Sequence, residues 1–320
     1  MMRWGEKRYH SLDYYLRGLY GEKLYKISLN GGCTCPNRDG TLGDRGCIFC
    51  SAGGSGDFAA SPALSISGQL AAGKALVRRK YKGSGYIAYF QAYTSTYGDP
   101  VRLEKQFRET LADPEVQILS IATRPDCLGP EILKLLAALR KEKPVWVELG
   151  LQTIHEQTAA FIRRGYALPV FVEGVKKLHA LGISVIVHVI LGLPGETREQ
   201  MLETVEFLNT LPVDGVKLQL LHVLRGTDLG ALYEEQPFPL PSREEYFRLV
   251  GDCLARLRPD IVIHRLTGDG PKALLLAPLW SADKRQVLNG LQRYLKEQDI
   301  WQGKSFSLPG CSEEKGGRYV

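Results

Sequence analysis

Six short apolar runs rich in β-branched residues alternate with longer amphipathic stretches, and no other feature limits the fold of this chain as strongly. The runs fall at 24–29, 86–92, 116–123, 145–151, 184–191 and 213–221, and helical periodicity fills about 62–80, 101–112, 130–142, 155–181 and 196–210. Such alternation predicts βαβ units, hence an α/β fold with a parallel sheet and right-handed crossovers. Several runs are apolar on both faces, as strands covered by other structure on each side must be. The pattern does not separate a barrel from a doubly wound open sheet. With 320 residues, 44% of them hydrophobic, the chain can bury one large core and still carry an extension.

The alternation occupies 23–225, after an N-terminal helical segment at 1–22. Around 226–243 the composition changes, punctuated by Pro237, Pro239 and Pro241; a helix at 244–257, a short strand at 261–264 and a helix at 283–297 follow. These read as an α-rich C-terminal extension, 226–301, packed on the main unit, with 302–320 as a loose tail. The first twenty residues are charged and aromatic with no signal-like apolar stretch, and no apolar run approaches the ~20 residues that span a bilayer. A soluble, cytoplasmic protein with no membrane partner is expected. The excess of 41 basic over 35 acidic residues tolerates an acidic partner such as RNA without requiring one. The densest basic run, Arg78-Arg79-Lys80 with Lys82, reads as a solvated helix end or as a phosphate-binding patch.

Directly after the first apolar run comes a glycine-rich stretch, Gly31-Gly32-Cys33-Thr34-Cys35-Pro36-Asn37-Arg38-Asp39-Gly40, and then Gly46-Cys47-Ile48-Phe49-Cys50. In a reducing compartment four clustered cysteines point to a metal site before a disulfide framework. Two arrangements compete: four thiolates closing a tetrahedral zinc site, or three holding a cluster with one iron left open. Cys33 and Cys35 are spaced unlike a zinc knuckle's C-x-x-C pair, and the loop follows a βα-series strand, where barrels carry their catalytic mouth. Both features favour the cluster. Cys127 and Cys253 read as small hydrophobes and Cys311 falls in the tail.

Cys47-Ile48-Phe49-Cys50 resembles the end of the radical S-adenosylmethionine (SAM) cysteine motif. Cys35, twelve positions before Cys47, resembles the widened spacing of the Elongator catalytic subunit. More closely, Gly32-x-x-Cys35-Pro36-Asn37-Arg38-Asp39-Gly40-Thr41 with Gly46-Cys47-x-Phe49-Cys50 is similar to the YtqA/YhcC-type radical SAM family. So are Ala122-Thr123-Arg124-Pro125-Asp126-Cys127, Glu148-Leu149-Gly150-Leu151-Gln152-Thr153 and His188-Val189-Ile190-Leu191-Gly192-Leu193-Pro194-Gly195-Glu196. The ordered motifs cover about 31–224, and 266–278 with Trp280-Ser281 extends the likeness; a zinc-stabilised RNA-binding module becomes the minor alternative.

The resemblance implies a partial (β/α)6 TIM-like barrel in which Cys35, Cys47 and Cys50 hold a 4Fe–4S cluster and Cys33 is spare. The open iron would chelate SAM, whose reductive cleavage yields a 5′-deoxyadenosyl radical, with a flavodoxin- or ferredoxin-type electron donor. Phe49, Gln91, Thr123, Arg124, Glu148, Gln152, Arg164, His188 and Gly192 are the candidate SAM contacts, with Arg164 set against the methionyl carboxylate. Their bland readings are core packing for Phe49, capped polar groups for Glu148 and Gln152, a core histidine for His188 and a tight turn for Gly192. Departures from relatives are Phe90-Gln91-Ala92-Tyr93-Thr94, where a glycine-rich segment is usual, Ala122, where a glutamate stands, and His188, where an acidic residue is expected. His188, His222 and Lys272 are the candidate catalytic residues, and His264, Arg265 and Asp269 join them as residues closing the mouth over substrate. By the same resemblance the substrate is tRNA wobble uridine, taken from 5-carboxymethylaminomethyl towards 5-aminomethyl before a partner methyltransferase acts. No stretch resembling the Elongator acetyltransferase domain follows, so acetyl transfer is not expected; a small-molecule or protein substrate is the alternative.

Overall fold

The structure, a computed structural model, describes residues 4–78, 83–268 and 270–307. Strands β1 (Tyr25–Leu29), β2 (Tyr86–Phe90), β3 (Val116–Thr123), β4 (Val145–Gln152), β5 (Ser184–Leu191) and β6 (Gly215–Leu220) lie at the six expected runs. Each pairs parallel with the next, and the resulting sheet curls into a half-barrel. Helix α1 (Leu12–Tyr20) precedes β1, and α2 (Ile66–Arg78), α3 (Pro100–Leu111) and α4 (Pro130–Leu139) fill the first crossovers. Proline in the first turn of α3 and α4 starts each helix where a missing N–H costs nothing. Residues 79–82, with most of the basic run, and Cys311 lie outside the described residues.

One expectation about local structure changes. The stretch 155–181 is two helices, α5 (Glu156–Phe161) and α6 (Leu168–Ala180). Arg163 and Gly165 adopt positive φ between them, and Pro169 sits in the first turn of α6, where its missing N–H leaves no helical bond unmade. The crossover after β5 uses α7 (Arg198–Phe207), whose start carries a reciprocal Thr197–Gln200 capping box.

The expected extension is only partly peripheral. After the short strand β7 (Val223–Leu224) come α8 (Asp228–Glu235), α9 (Arg243–Arg256), β8 (Val262–Arg265), β9 (Leu275–Ala277) and α10 (Lys284–Glu297). β8 joins β6 in parallel, making the sheet order β1-β2-β3-β4-β5-β6-β8, while β7 and β9 form a separate antiparallel ribbon. The unit thus has seven parallel strands, and the last comes from beyond the alternating region. The tail also begins later than expected: Gln302 is fully buried, its side chain bonding the backbone of His10, Arg258 and Ile261.

The main core fills the space between the outer sheet face and the helices. Inside the curl, Leu16 of α1 packs with Leu24, Ile87, Ile118, Trp146 and Ile186, sealing the N-terminal end of the half-barrel. A third cluster, Ile48, Ile162, Ile190, Leu193, Leu221, Val223, Leu229 and Ala277, lies at the opposite end.

Candidate active site

Side chains two apart on a strand share a face. On β2 to β5 the residues after the apolar plug are therefore Tyr89, Ser120, Glu148 and His188, followed by Gln91, Ala122, Gly150 and Ile190. A polar tier sits on a dry floor, and a cavity of about 240 Å³ opens above it. Its wall includes Cys35, Cys47, Phe49, Cys50, Gln91, Thr123, Arg124, Glu148, Gln152, Arg164, His188, Lys217, His222 and Arg265. Twelve of the fourteen candidate cluster ligands, SAM contacts and catalytic residues converge there; Lys272 and Gly192 do not. Lys272 is exposed on a 3-10 turn, and Gly192 faces Pro241, since the strand-to-helix turn carries it past the rim.

The cysteine loop is tied from within. Arg38 donates to the carbonyls of Cys50 and Ser51 at 3.1 and 2.7 Å, while its own N–H bonds Cys35 O at 2.8 Å, joining both halves of the loop. Asn37 donates to Arg163 O at 2.6 Å and reaches Cys47 Sγ at 3.5 Å. Gly46 has φ 77°, and a Cβ there would stand 2.7 Å from Arg38 Nε. A hydrogen bond from Cys50 lowers the Cys47 thiol to about 7 against the opposing effect of burial, with Arg124, Asn37 and Arg38 adding to the shift. The same bond with Cys47, and burial after it, push Cys50 up. Cys33 is buried, reaches Arg102 at 3.6 Å and lines a different pocket with Tyr97 and Cys127, so the four-thiol zinc arrangement does not form. Among the described residues no three His, Cys, Asp or Glu side chains converge as one metal ion would require. Three thiols instead rim one end of a cavity amid guanidinium groups, a soft and electropositive donor set that fits a cluster with an open iron.

Gln152 has φ 67° beside the register shift between β4 and β5, and its buried Oε1 has no hydrogen-bond partner. Tyr93, also in the cavity wall, has φ 56°. Left-handed non-glycine residues cost about 1–3 kcal/mol each and gather at ligand sites. An orphan acceptor on a strained backbone is what a site awaiting a donor looks like.

Arg164 does not offer its fork. Its guanidinium is 2% exposed and bonds Leu151 O, Thr153 O, Tyr166 O and the Glu156 carboxylate, filling the break between α5 and α6. Arg124 pairs in two bonds with Asp126 and donates to Arg164 O at 3.0 Å. Gln91 bonds Ser28 and Ser55, and Thr123 bonds Thr96 at 2.5 Å. His222 packs against Gly268 at the rim. His264 sits against Trp146 at 5.2 Å between ring centres, below the cavity, and does not close the mouth. Asp269 lies outside the described residues.

The largest departure from expectation is around Glu148. Its fully buried carboxylate accepts from Lys26 Nζ and His188 Nε2, each at 2.7 Å, from Ser120 Oγ at 2.9 Å, and from Lys217. Lys217 also reaches Tyr89 OH at 3.2 Å, and both lysines lie 4.5 Å from the centre of the Tyr89 ring. Burial raises the carboxyl, but Lys217, Lys26 and the His188 bond outweigh it and hold Glu148 well below the usual range. Burial, with Lys217 adding, lowers His188 to about 4, so the imidazole is neutral and donates from Nε2. Lys26, Tyr89 and Lys217 escaped the sequence reading. Their signal was a lone polar residue in an apolar strand, the signal that marked Glu148.

A curled parallel sheet with a thiolate-rimmed cavity at its strand ends defines a class of half-barrel enzymes built around a thiolate-bound cofactor. The model of the Radical SAM superfamily matches 37–208 and that of the Radical_SAM C-terminal domain matches 213–297. The chain belongs to the radical SAM superfamily, whose enzymes use a 4Fe–4S cluster and SAM. It is 45% identical over 301 residues to the protein YtqA of Bacillus subtilis, covering 94% of each chain. Over 176 residues, 54% of this chain and 32% of the other, it is 28% identical to a tRNA uridine(34) acetyltransferase of Methanocaldococcus jannaschii. In fold it resembles the Methanocaldococcus infernus Elp3 with its N-terminus deleted, at TM-score 0.67 and 14% identity, spanning 87% of this chain and 64% of that one. Among the described residues no helix is long and apolar enough to cross a membrane.

Proposed function

We propose that this radical SAM enzyme modifies the wobble uridine of tRNA in the cytoplasm, converting a 5-carboxymethylaminomethyl substituent towards 5-aminomethyl. The observation that carries the reading is the 28% identity, over 176 residues, to a protein named for acting on tRNA uridine 34. In this reading Cys35, Cys47 and Cys50 hold the cluster, Phe49 packs against the adenine, and Gln152 Oε1 accepts a hydrogen bond from SAM. Cluster and SAM together supply the abstraction of a hydrogen atom from an unactivated C–H. The protein keeps water from that event: α1 and its apolar partners close one end of the half-barrel, and Arg124 and Arg164, bonded to carbonyls and carboxylates, stiffen the wall. Glu148 and His188 form a preorganised polar tier against which substrate seats. His222 at the rim meets it from the mouth. A flavodoxin- or ferredoxin-type donor delivers the electron, and a methyltransferase takes up the product.

Nucleoside mass spectrometry of tRNA from a strain lacking the gene tests this directly. The expected result is accumulation of 5-carboxymethylaminomethyluridine with loss of its 5-aminomethyl descendants. An unchanged nucleoside profile sinks the assignment.

A further inference from the structure

Asn37 stands in the cysteine loop between Cys35 and Cys47 and is buried, 5% exposed. Its main chain is tied to the second of them, since the Gly46 N–H, immediately before Cys47, donates to Asn37 O at 2.6 Å. Its side-chain Nδ2 donates to Arg163 O at 2.6 Å and lies 3.5 Å from both Arg164 O and Cys47 Sγ. Turning the amide round would set Oδ1 against the Arg163 carbonyl, two acceptors at a hydrogen-bond distance, so the nitrogen faces the sulfur. The far side is confined as well. Gly165 has φ 81°, and a Cβ there would stand 2.7 Å from Asn37 Oδ1. The break between α5 and α6 thus presents a carbonyl and a gap that together fit this one amide.

Cys47 Sγ is also 3.5 Å from Arg163 O, to which the thiol proton is donated. A sulfur that holds iron has no such proton, and thiolate and carbonyl would then face each other as two acceptors in a buried space. Asn37 has two N–H groups; one goes to the carbonyl and the other is aimed at the sulfur. We propose that Asn37 is a positioning residue for the cluster, its amide donating an N–H···S hydrogen bond to the Cys47 thiolate and raising the cluster's reduction potential. This deepens the function proposed above, resting on Cys47 as a ligand but not on the identity of the substrate. A donor to a ligand sulfur stabilises the reduced cluster, which carries one more negative charge, over the oxidised one. Asn37 thereby sets how readily one electron passes from a flavodoxin- or ferredoxin-type donor to the cluster.

Anaerobic redox titration of the reconstituted enzyme, followed by electron paramagnetic resonance of the reduced cluster, tests the bond. Asn37→Leu is expected to disfavour reduction about tenfold, a fall of about 59 mV for one electron. Asn37→Asp keeps the shape of the amide, removes both donors and adds a charge, and its midpoint is expected to fall further. Loaded variants with the wild-type midpoint overturn the inference. So does a lower iron content with an unchanged midpoint, which a packing role alone would give. Where neither variant loads, the wild-type enzyme decides. With heavy nitrogen in its asparagine amides, electron–nuclear double resonance is expected to show coupling to the reduced cluster, and absence of coupling overturns the bond. Cys47→Ala separates this failure from that of the ligand assignment. If that variant keeps its cluster, the assignment falls and the inference with it; if it loses the cluster while the Asn37 variants match the wild-type midpoint, the inference falls alone.

Discussion

Glu148 accepts from four side chains at once, and three of them lie on other strands of the curl than its immediate neighbour Ser120. Removing its charge leaves the buried Lys217 and the half-buried Lys26 without their counter-ion. Glu148→Gln is expected to lose on the order of 3–5 kcal/mol in denaturant unfolding of the apoprotein, with partial recovery when Lys217→Met is added. A loss within the scatter of surface substitutions would show that the network is solvated after all. His188 supplies a pH dependence. Its folded value of about 4 lies below the ordinary 6.5, so the unfolded chain binds the extra proton between those limits. Its contribution to stability is therefore complete above about pH 6.5 and is lost as pH falls towards 4. His188→Asn should flatten the melting temperature against pH in that window, and an unchanged slope would assign it to other groups. Cys33 stands beside Arg102 and away from the cavity, so Cys33→Ala should keep iron and sulfide after anaerobic reconstitution. Alanine at Cys35, Cys47 or Cys50 should not.

At the scale of elements the cysteine loop is held by Arg38 more than by regular structure. Gly46 permits this in two ways: its φ of 77° disfavours any side chain, and its missing Cβ leaves the room that Arg38 occupies. Gly46→Ala is expected to displace the guanidinium from the carbonyls of Cys50 and Ser51 and to lower cluster content severalfold, while far-ultraviolet circular dichroism of the barrel stays unchanged. Full iron content in that variant would show the loop to be set by its thiols alone. The break between α5 and α6 is the other element with a consequence. By interrupting the helix at Ile162, it delivers Arg164 to the carbonyls at the end of β4, where the chain leaves the sheet for the cavity wall.

For the whole molecule, the point of interest is where the folding unit ends. A fragment stopping at residue 225 contains all six alternating strands but lacks β8, the strand that pairs with β6. It also lacks Arg265 and the helices that cover the outer face, α9 and α10. The fragment is expected to be protease-sensitive and to lack a cooperative thermal transition, because an exposed parallel edge and uncovered core remain. A fragment that melts cooperatively would make the C-terminal part an accessory domain.

The strand–helix alternation, the six strand positions and the grouping of three cysteines were legible because each depends on local pattern or on residues within one short loop. Thr197 and Gln200, or Ser242 and Glu245, mark helix starts in the same way, since a cap acts across three residues. Tertiary structure decided what depends on how the sheet curls. Period-two alternation says that Lys217 and Gln219 share a face, but with both faces covered it does not say which one looks inward. Curling turned that face towards Glu148, bringing together residues 69 and 122 positions apart in the chain. It drew β8 into the sheet because the edge of β6 offers hydrogen bonds that its own sequence does not reveal. It also gave Arg164 to backbone carbonyls, since a buried guanidinium takes whatever acceptors the fold places around it.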